Sequence, residues 1–380
     1  MQDDEERHEK HHSMPRNHAS ASQFSRRSFL TAAGASALAL PFVRAGSALG
    51  QTAAQADPNH PNPWLMRGCN RDTIQDYVDA GIPVTGVRIY GDQKTNSIST
   101  SWPSPPATTP IIPYFDDVSI CATIYPNHDD LLNGGYDDQL ESYLKGSQPR
   151  DMLSLWHLWH ECSNFPSCDD YPDLCHTRGK VDGKGLQLTG PRCRAMQTYL
   201  YNFAKTGDGN QQPTPDQIAT PAYKAAIGAV DIGSWDVAVP WMAPGLDFYS
   251  IDLYFGNFHN PCDVLNEWDL HVRVGTGGSA PHGAPGATIS VCECNLNIDG
   301  DDLQQLDPLR AAYFYTAAKW VWRQPNTGTR SFLCFWGGSG NLGGPFVTGN
   351  NGTATRAELA AIGSQDWTNP HGYPEPVFNS

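Results

Sequence analysis

Between positions 118 and 338, short apolar runs of strand length alternate with segments patterned for helices. That alternation is the strongest constraint in the sequence, because it calls for a parallel sheet whose strands are joined by crossover helices. VSICATIYP (118–126), MLSLWHLWHE (152–161), AAIGAVDIGSW (225–235), LDFYSIDLYF (246–255), TISVCECN (288–295) and SFLCFWGG (331–338) are the strand candidates. Helical patterns occupy 137–146, 193–207, 263–274 and 306–324, the last with Pro308 in its first turn. PVTGVRIYGD around 84–92 adds a strand and PWLMRGCN from 63 another, while 92–116 reads as proline-rich loop around Trp102. The expected fold is therefore α/β, a (β/α)8 TIM barrel with an irregular first quarter. An open doubly wound sheet is the alternative, but no glycine-rich phosphate turn follows an early strand.

The first 56 residues do not read as fold. Ser25-Arg26-Arg27-Ser28-Phe29-Leu30 is a twin-arginine pattern, followed by an apolar run at 31–43 and an A-x-A cleavage pattern at Ala54-Gln55-Ala56. The run falls short of the roughly 20 apolar residues that a membrane span requires. Residues 1–56 are expected to be a signal peptide and leader, and 57–380 a single exported domain, secreted and monomeric, with no membrane role after export. Twenty-five Lys and Arg against 40 Asp and Glu leave a formal charge of −15, which repels phosphate backbones and argues against nucleic acid as a partner.

Ten cysteines are an even number, and all follow the leader, which in an exported chain favours disulfides. Cys162, Cys168, Cys175 and Cys193 crowd one segment and are expected to staple a disulfide-rich loop after the fourth strand. Their spacing does not resemble paired C-x2-C zinc knuckles.

In a parallel barrel the C-terminal ends of the strands converge on one face, where active sites are built. The strand ends here are His160-Glu161, Asp252-Leu253-Tyr254, Cys292-Glu293-Cys294-Asn295 and Phe335-Trp336-Gly337-Gly338. Period-two alternation sends Val291 and Glu293 to one face and Cys292 and Cys294 to the other. It also makes Trp156 and Trp159 straddle the two faces. Two carboxyls across a sugar-sized gap are what glycosidic hydrolysis needs, one protonated to release the leaving oxygen and one ionised to attack. A tyrosine hydroxyl can orient the attacking group, and a tryptophan face can floor a sugar subsite. The bland alternatives are a carboxylate paired with an arginine, and aromatic side chains that only fill core. Arg88, at the end of GVRIY, can either orient Glu293 or form a structural ion pair.

The order of these strand ends resembles the retaining (β/α)8-barrel glycoside hydrolases, whose acid/base ends strand four and whose nucleophile ends strand seven. It is most similar to glycoside hydrolase family 26, the β-mannanase family, through His160-Glu161, Asp252-x-Tyr254, Glu293, Trp336 and the Gly134-Gly135-Tyr136-Asp137 run before a helix. The resemblance implies Glu161 as acid/base, Glu293 as nucleophile and Tyr254 as its hydrogen-bond partner. It implies Trp336 as a sugar platform, with His160 and Asp252 also on the substrate side. A polysaccharide is then the partner, cleaved in endo fashion at β-linkages without a cofactor or metal. Two rivals remain open: a non-catalytic carbohydrate-binding barrel, and a zinc hydrolase using His157, His160 and Glu161. The spacing H-x-x-H-E matches neither common zinc-hydrolase motif.

Overall fold

Eight strands form one sheet in which every neighbouring pair runs parallel: β1 Leu65–Met66, β2 Gly86–Tyr90, β3 Ser119–Ile124, β4 Ser154–Leu158, β5 Ala225–Ile232, β6 Phe248–Phe255, β7 Thr288–Leu296 and β8 Leu333–Phe335. The structure is a computed structural model that describes residues 65–66, 82, 86–90, 119–146, 154–163, 180–232, 235–255, 260–274, 282–283, 287–296, 303–323, 333–335, 352–364 and 366–375. The chain divides into two units, Met1–Asp57 and Pro58–Ser380. The twin-arginine segment, the proline-rich loop at 92–116, the cysteine-rich stretch at 164–179 and Trp336 lie outside the described residues.

The strand order is β1-β8-β7-β6-β5-β4-β3-β2. It steps one way through the chain and never reverses, so the doubly wound sheet, which needs a switch in winding direction, is excluded. The order is that of a barrel cut between β1 and β2, and those two strands also approach within 8 Å between Cα atoms.

The helices fall between the strands as the crossover pattern requires. After β3 come α1 (His128–Leu132) and α2 (Asp137–Gly146); after β4, α3 (Gly190–Thr206) and α4 (Pro215–Ala219); after β5, the short α5 (Trp235–Ala238). β6 leads to α6 (Pro261–Trp268), which runs on as a π turn to Val274; β7 leads to α7 (Leu303–Trp322), and β8 to α8 (Thr353–Gly363). Helix α3 ends where Gly207 takes a left-handed φ of 85°, and its N–H closes onto the Phe203 carbonyl. Helix α7 starts three residues earlier than the sequence suggests, so Pro308 stands inside it rather than in its first turn. Helix α8 is not foreseen from the sequence. Its first amides are received by the Asp307 carboxylate, from Ala354 at 2.7 Å and Thr355 at 3.1 Å.

Alternation along the strands makes two apolar layers. Ala122, Trp156, Ile227, Ile251 and Ile289 face the helices, where Met196, Leu200 and Phe314 meet them in the larger core. Cys121, Leu155, Ala226, Val230, Phe248, Cys292 and Cys334 form a second, enclosed cluster on the opposite face. That inner layer is tight. Gly228 pairs in register with Phe248, and a methyl group placed on it would stand 2.4 Å from the Phe248 ring. Gly228→Ala is therefore expected to destabilise the protein by about 1–3 kcal/mol through overpacking. The measurement is the urea midpoint with an unchanged slope.

Candidate active site

Glu161 is presented by a strained turn rather than by the strand itself. Strand β4 stops at Leu158, short of the apolar run, because Trp159 and Glu161 both take positive φ, 54° and 49°. Such backbone costs on the order of 1–3 kcal/mol per residue for bulky L-residues and persists only where the surroundings dictate it. Here they do. Trp159 donates its backbone N–H to Ile124 O at 3.0 Å and its indole N–H to Pro126 O at 3.1 Å. The Lys180 ammonium donates to His160 O at 2.6 Å. Asp231, near the end of β5, accepts from the Ser163 amide at 3.2 Å, the Ser163 hydroxyl at 2.5 Å and the Ile232 amide at 2.9 Å. The turn also corrects the expected split of the tryptophans. Trp156 and Trp159 are both fully buried in the larger core, since the left-handed residue returns Trp159 to the helix side.

Glu293 reaches the same rim by a different irregularity. The β6–β7 register shifts between Ile251 and Asp252, so that Ile251 opposes Val291 but Asp252 opposes Glu293. Simple alternation therefore fails at this strand. Val291 faces the helices, and Cys292 faces the enclosed cluster instead of the helix side. The bulge then turns Glu293 to that inner face as well, as an extra residue does in any strand. Glu293 points where the sequence suggests, for a reason alternation did not supply.

Arg88 of β2 is the centre of the site and is completely buried. Its Nη1 donates to Glu293 Oε1 at 2.9 Å and to Cys292 O at 2.8 Å, and stands 3.7 Å from Asp252 Oδ1. Its Nη2 lies 2.9 Å from His160 Nδ1. A guanidinium can only donate, so it fixes His160 Nδ1 as the acceptor and leaves the proton on Nε2. Burial, with the Arg88 charge behind it, also holds His160 well below its ordinary range and hence neutral. The Nε2–H then faces both carboxylates, 3.3 Å from Glu293 Oε1 and 3.8 Å from Glu161 Oε1. Tyr125, just past β3, packs edge-on to Trp159 at 5.2 Å, and burial pushes its phenol far above the usual range.

Glu161 and Glu293 keep a little exposure, 9% and 6%. The Asp252 side chain keeps none. Asp252, expected on the substrate side, carries a carboxyl more deeply buried than either glutamate. Its oxygens lie 3.2 Å from His160 Nδ1 and 3.7 Å from Arg88 Nη1, with no aligned hydrogen bond among the described residues. Burial first, and the Glu293 charge second, push its carboxyl well above the usual carboxylate range. A neutral Asp252 relieves the crowding of acids around a single guanidinium.

The zinc set His157, His160 and Glu161 does not assemble. The His157 ring is fully buried, with Nε2 2.8 Å from Thr123 Oγ1 and away from the other two. His160, Asp252 and Glu293 do bring ligand atoms within 4.8 Å of one another. The Arg88 guanidinium already supplies the positive charge between them and opposes a second cation. Tyr254 lies in β6 opposite Asn295, with its side chain outside the described residues, as is all of Trp336. Cys162 and Cys193 stand as free thiols, with Cys162 Sγ donating to Trp159 O at 3.9 Å; Cys168 and Cys175 lie outside the described residues. Asp231, Ser163 and Lys180 were not foreseen. Their only sequence signal is position at a strand end or in the loop behind Glu161.

No protein-family model matches the chain, and no curated protein matches it. Solved structures that it resembles include a modular endo-β-1,4-mannanase of glycoside hydrolase family 26 from Cellulomonas fimi, at 12% identity over 80% of this chain and 70% of that one, with a TM-score of 0.42. A family 26 β-mannanase from Bacteroides ovatus is 11% identical over 84% of this chain and 95% of that one, with a TM-score of 0.42. A family 5 xyloglucanase from Paenibacillus pabuli is 14% identical over 78% and 90%, with a TM-score of 0.35.

The Asp231 anchor has a pH signature. Burial raises its carboxyl from 3.8 to about 7, against the hydrogen bonds from Ser163 and Ile232. Between those values the folded chain holds a proton that the unfolded chain has lost, so stability falls as pH rises from about 4 to about 7. Asp231→Asn should remove that contribution. Urea unfolding from pH 4 to 8 is expected to show the wild type losing stability relative to the variant across this window; parallel profiles would refute the assignment.

Proposed function

We propose that the chain is an exported glycoside hydrolase that cleaves β-linked polysaccharide, mannan or a related glycan, by retaining double displacement in endo fashion. The observation that carries this reading is that Glu161 and Glu293, from β4 and β7, both bring an oxygen within 3.8 Å of one imidazole nitrogen, His160 Nε2. Two carboxyls that close, both with residual access from outside, suit a reaction at a single sugar carbon.

Glu161 donates its proton to the glycosidic oxygen as the bond to the anomeric carbon breaks, and Glu293 attacks that carbon to form a glycosyl ester. Glu161, now a carboxylate, takes a proton from water, which displaces Glu293 and restores both groups. Arg88 lays a fixed positive charge on the carboxylate that must attack, and the neutral His160 offers its Nε2–H between the two acids. Tyr254 and Trp336 are proposed to orient the nucleophile and floor a sugar subsite. The mannan preference rests on the strand-end pattern of His160-Glu161, Asp252-x-Tyr254, Glu293 and Trp336, and export on the twin-arginine segment.

A panel of β-mannan, β-glucan and xylan polysaccharides with a reducing-sugar readout tests this directly. Glu161→Gln is expected to lower turnover about 10²–10⁴-fold. Glu293→Ala should abolish hydrolysis while polysaccharide retention on affinity gels persists. Retention without hydrolysis in the wild type would instead identify a carbohydrate-binding barrel.

A further inference from the structure

One layer beneath the carboxylates, side chains from three strands converge that the hydrolytic proposal does not use. Cys121 of β3, His157 of β4 and Cys292 of β7 are all fully buried, and their donor atoms lie within 4.8 Å of one another. The His157 Nε2 to Cys292 Sγ distance is 3.7 Å. Leu155, Val230 and Phe248 belong to the same enclosed cluster as the two cysteines.

The chemistry of this trio is that of soft-metal ligands. Two sulfurs and an imidazole select zinc or copper(I) over hard cations such as magnesium and calcium. Zn–S bonds of about 2.3 Å and Zn–N bonds of about 2.0–2.1 Å imply a sulfur-to-nitrogen edge of roughly 3.6 Å at a tetrahedral angle, close to the edge present here. His157 Nε2, the nitrogen nearest the sulfurs, also lies 2.8 Å from Thr123 Oγ1, so a bound cation takes the place of that hydrogen bond. His157 Nδ1 finds no hydrogen-bond partner among the described residues, so the surrounding side chains do not satisfy the ring.

We propose that Cys121, His157 and Cys292 form a buried structural site for a thiophilic d10 cation, zinc or copper(I), held between β3, β4 and β7. Binding releases the two thiol protons and forms two metal–sulfur bonds and one metal–nitrogen bond, with no change of oxidation state. Two thiolates neutralise Zn²⁺ outright. With Cu⁺ they leave one negative charge, which faces Arg88.

The test uses the full chain, produced in zinc- or copper-supplemented medium and separately refolded with zinc, copper(I) or cobalt(II). About one metal per chain should survive gel filtration with chelator, and cobalt should give a thiolate charge-transfer band. Cys121→Ser/Cys292→Ser should lose the metal and the band; it retains the histidines of the leader, so adventitious binding there is controlled. His157→Gln keeps both thiols and should bind more weakly, with a shifted cobalt spectrum, which covers the case in which the double variant fails to fold. A wild type that refolds without retaining any of the three metals overturns the proposal. So does a cobalt spectrum unaltered in His157→Gln, or peptide mapping that recovers a Cys121–Cys292 disulfide. None of these readouts depends on hydrolysis, so the site and the proposed activity stand or fall separately.

Discussion

The Arg88 guanidinium is the interaction on which the rim depends. A fully buried arginine is costly unless its charge and its donors are met, and here they meet Glu293, Cys292 O, His160 and, at longer range, Asp252. Removing one member of such a set typically costs about 3–5 kcal/mol, because a buried charge is left uncompensated. The same contacts decide a protonation pattern. By occupying His160 Nδ1, the arginine directs the imidazole proton at the carboxylates, while burial and the neighbouring Glu293, against the arginine's pull, hold the Asp252 carboxyl well above the usual range. The placement of the rim groups and the tautomer of His160 thus follow from one side chain on β2.

Both candidate carboxylates owe their direction to a break in regular backbone. At β4 two left-handed residues end the strand, and at β7 a bulge inserts Cys292 between the two faces. These are local departures that a regular strand would not adopt, and each is held by a partner from another strand. Asp231 on β5 fixes the first through Ser163, and Arg88 on β2 fixes the second by binding the carbonyl of the inserted cysteine. Strain concentrated at one rim and restrained from neighbouring strands is a usual mark of a working site.

Much of the fold was legible because alternating strand and helix patterns report burial, which is what the sheet and its crossovers require. The C-terminal end of α3 follows from Gly207 and the start of β5 from its apolar run, although α3 begins at Gly190, ahead of Cys193, and β5 stops at Ile232. The convergence of Glu161 and Glu293 was legible at the level of strand ends alone. What stayed hidden depends on three-dimensional context. Alternation assumes an unbroken strand, so it misplaced Cys292 and Val291 at the bulge and Trp159 at the left-handed turn. The burial of Asp252 was not legible because sequence position says nothing of how deeply a strand sits, and Arg88 left two roles open because its partner lies 205 residues away. Asp231 and Ser163 carry no local motif; only the folded turn makes them partners.

The inner face of the sheet therefore changes character over a single step along the strands. Leu155, Val230 and Phe248 pack as hydrocarbon in one cluster with the Cys121 and Cys292 thiols, and the charged groups begin with Arg88 and the carboxylates. Cys292 belongs to both groups: its sulfur meets His157 while its carbonyl receives Arg88. A rotation of that residue would move the guanidinium and the thiol cluster together. The rim thus rests on a closely packed cluster, and a charge network this dry needs such a floor, since water entering from beneath would screen the contacts that set its geometry.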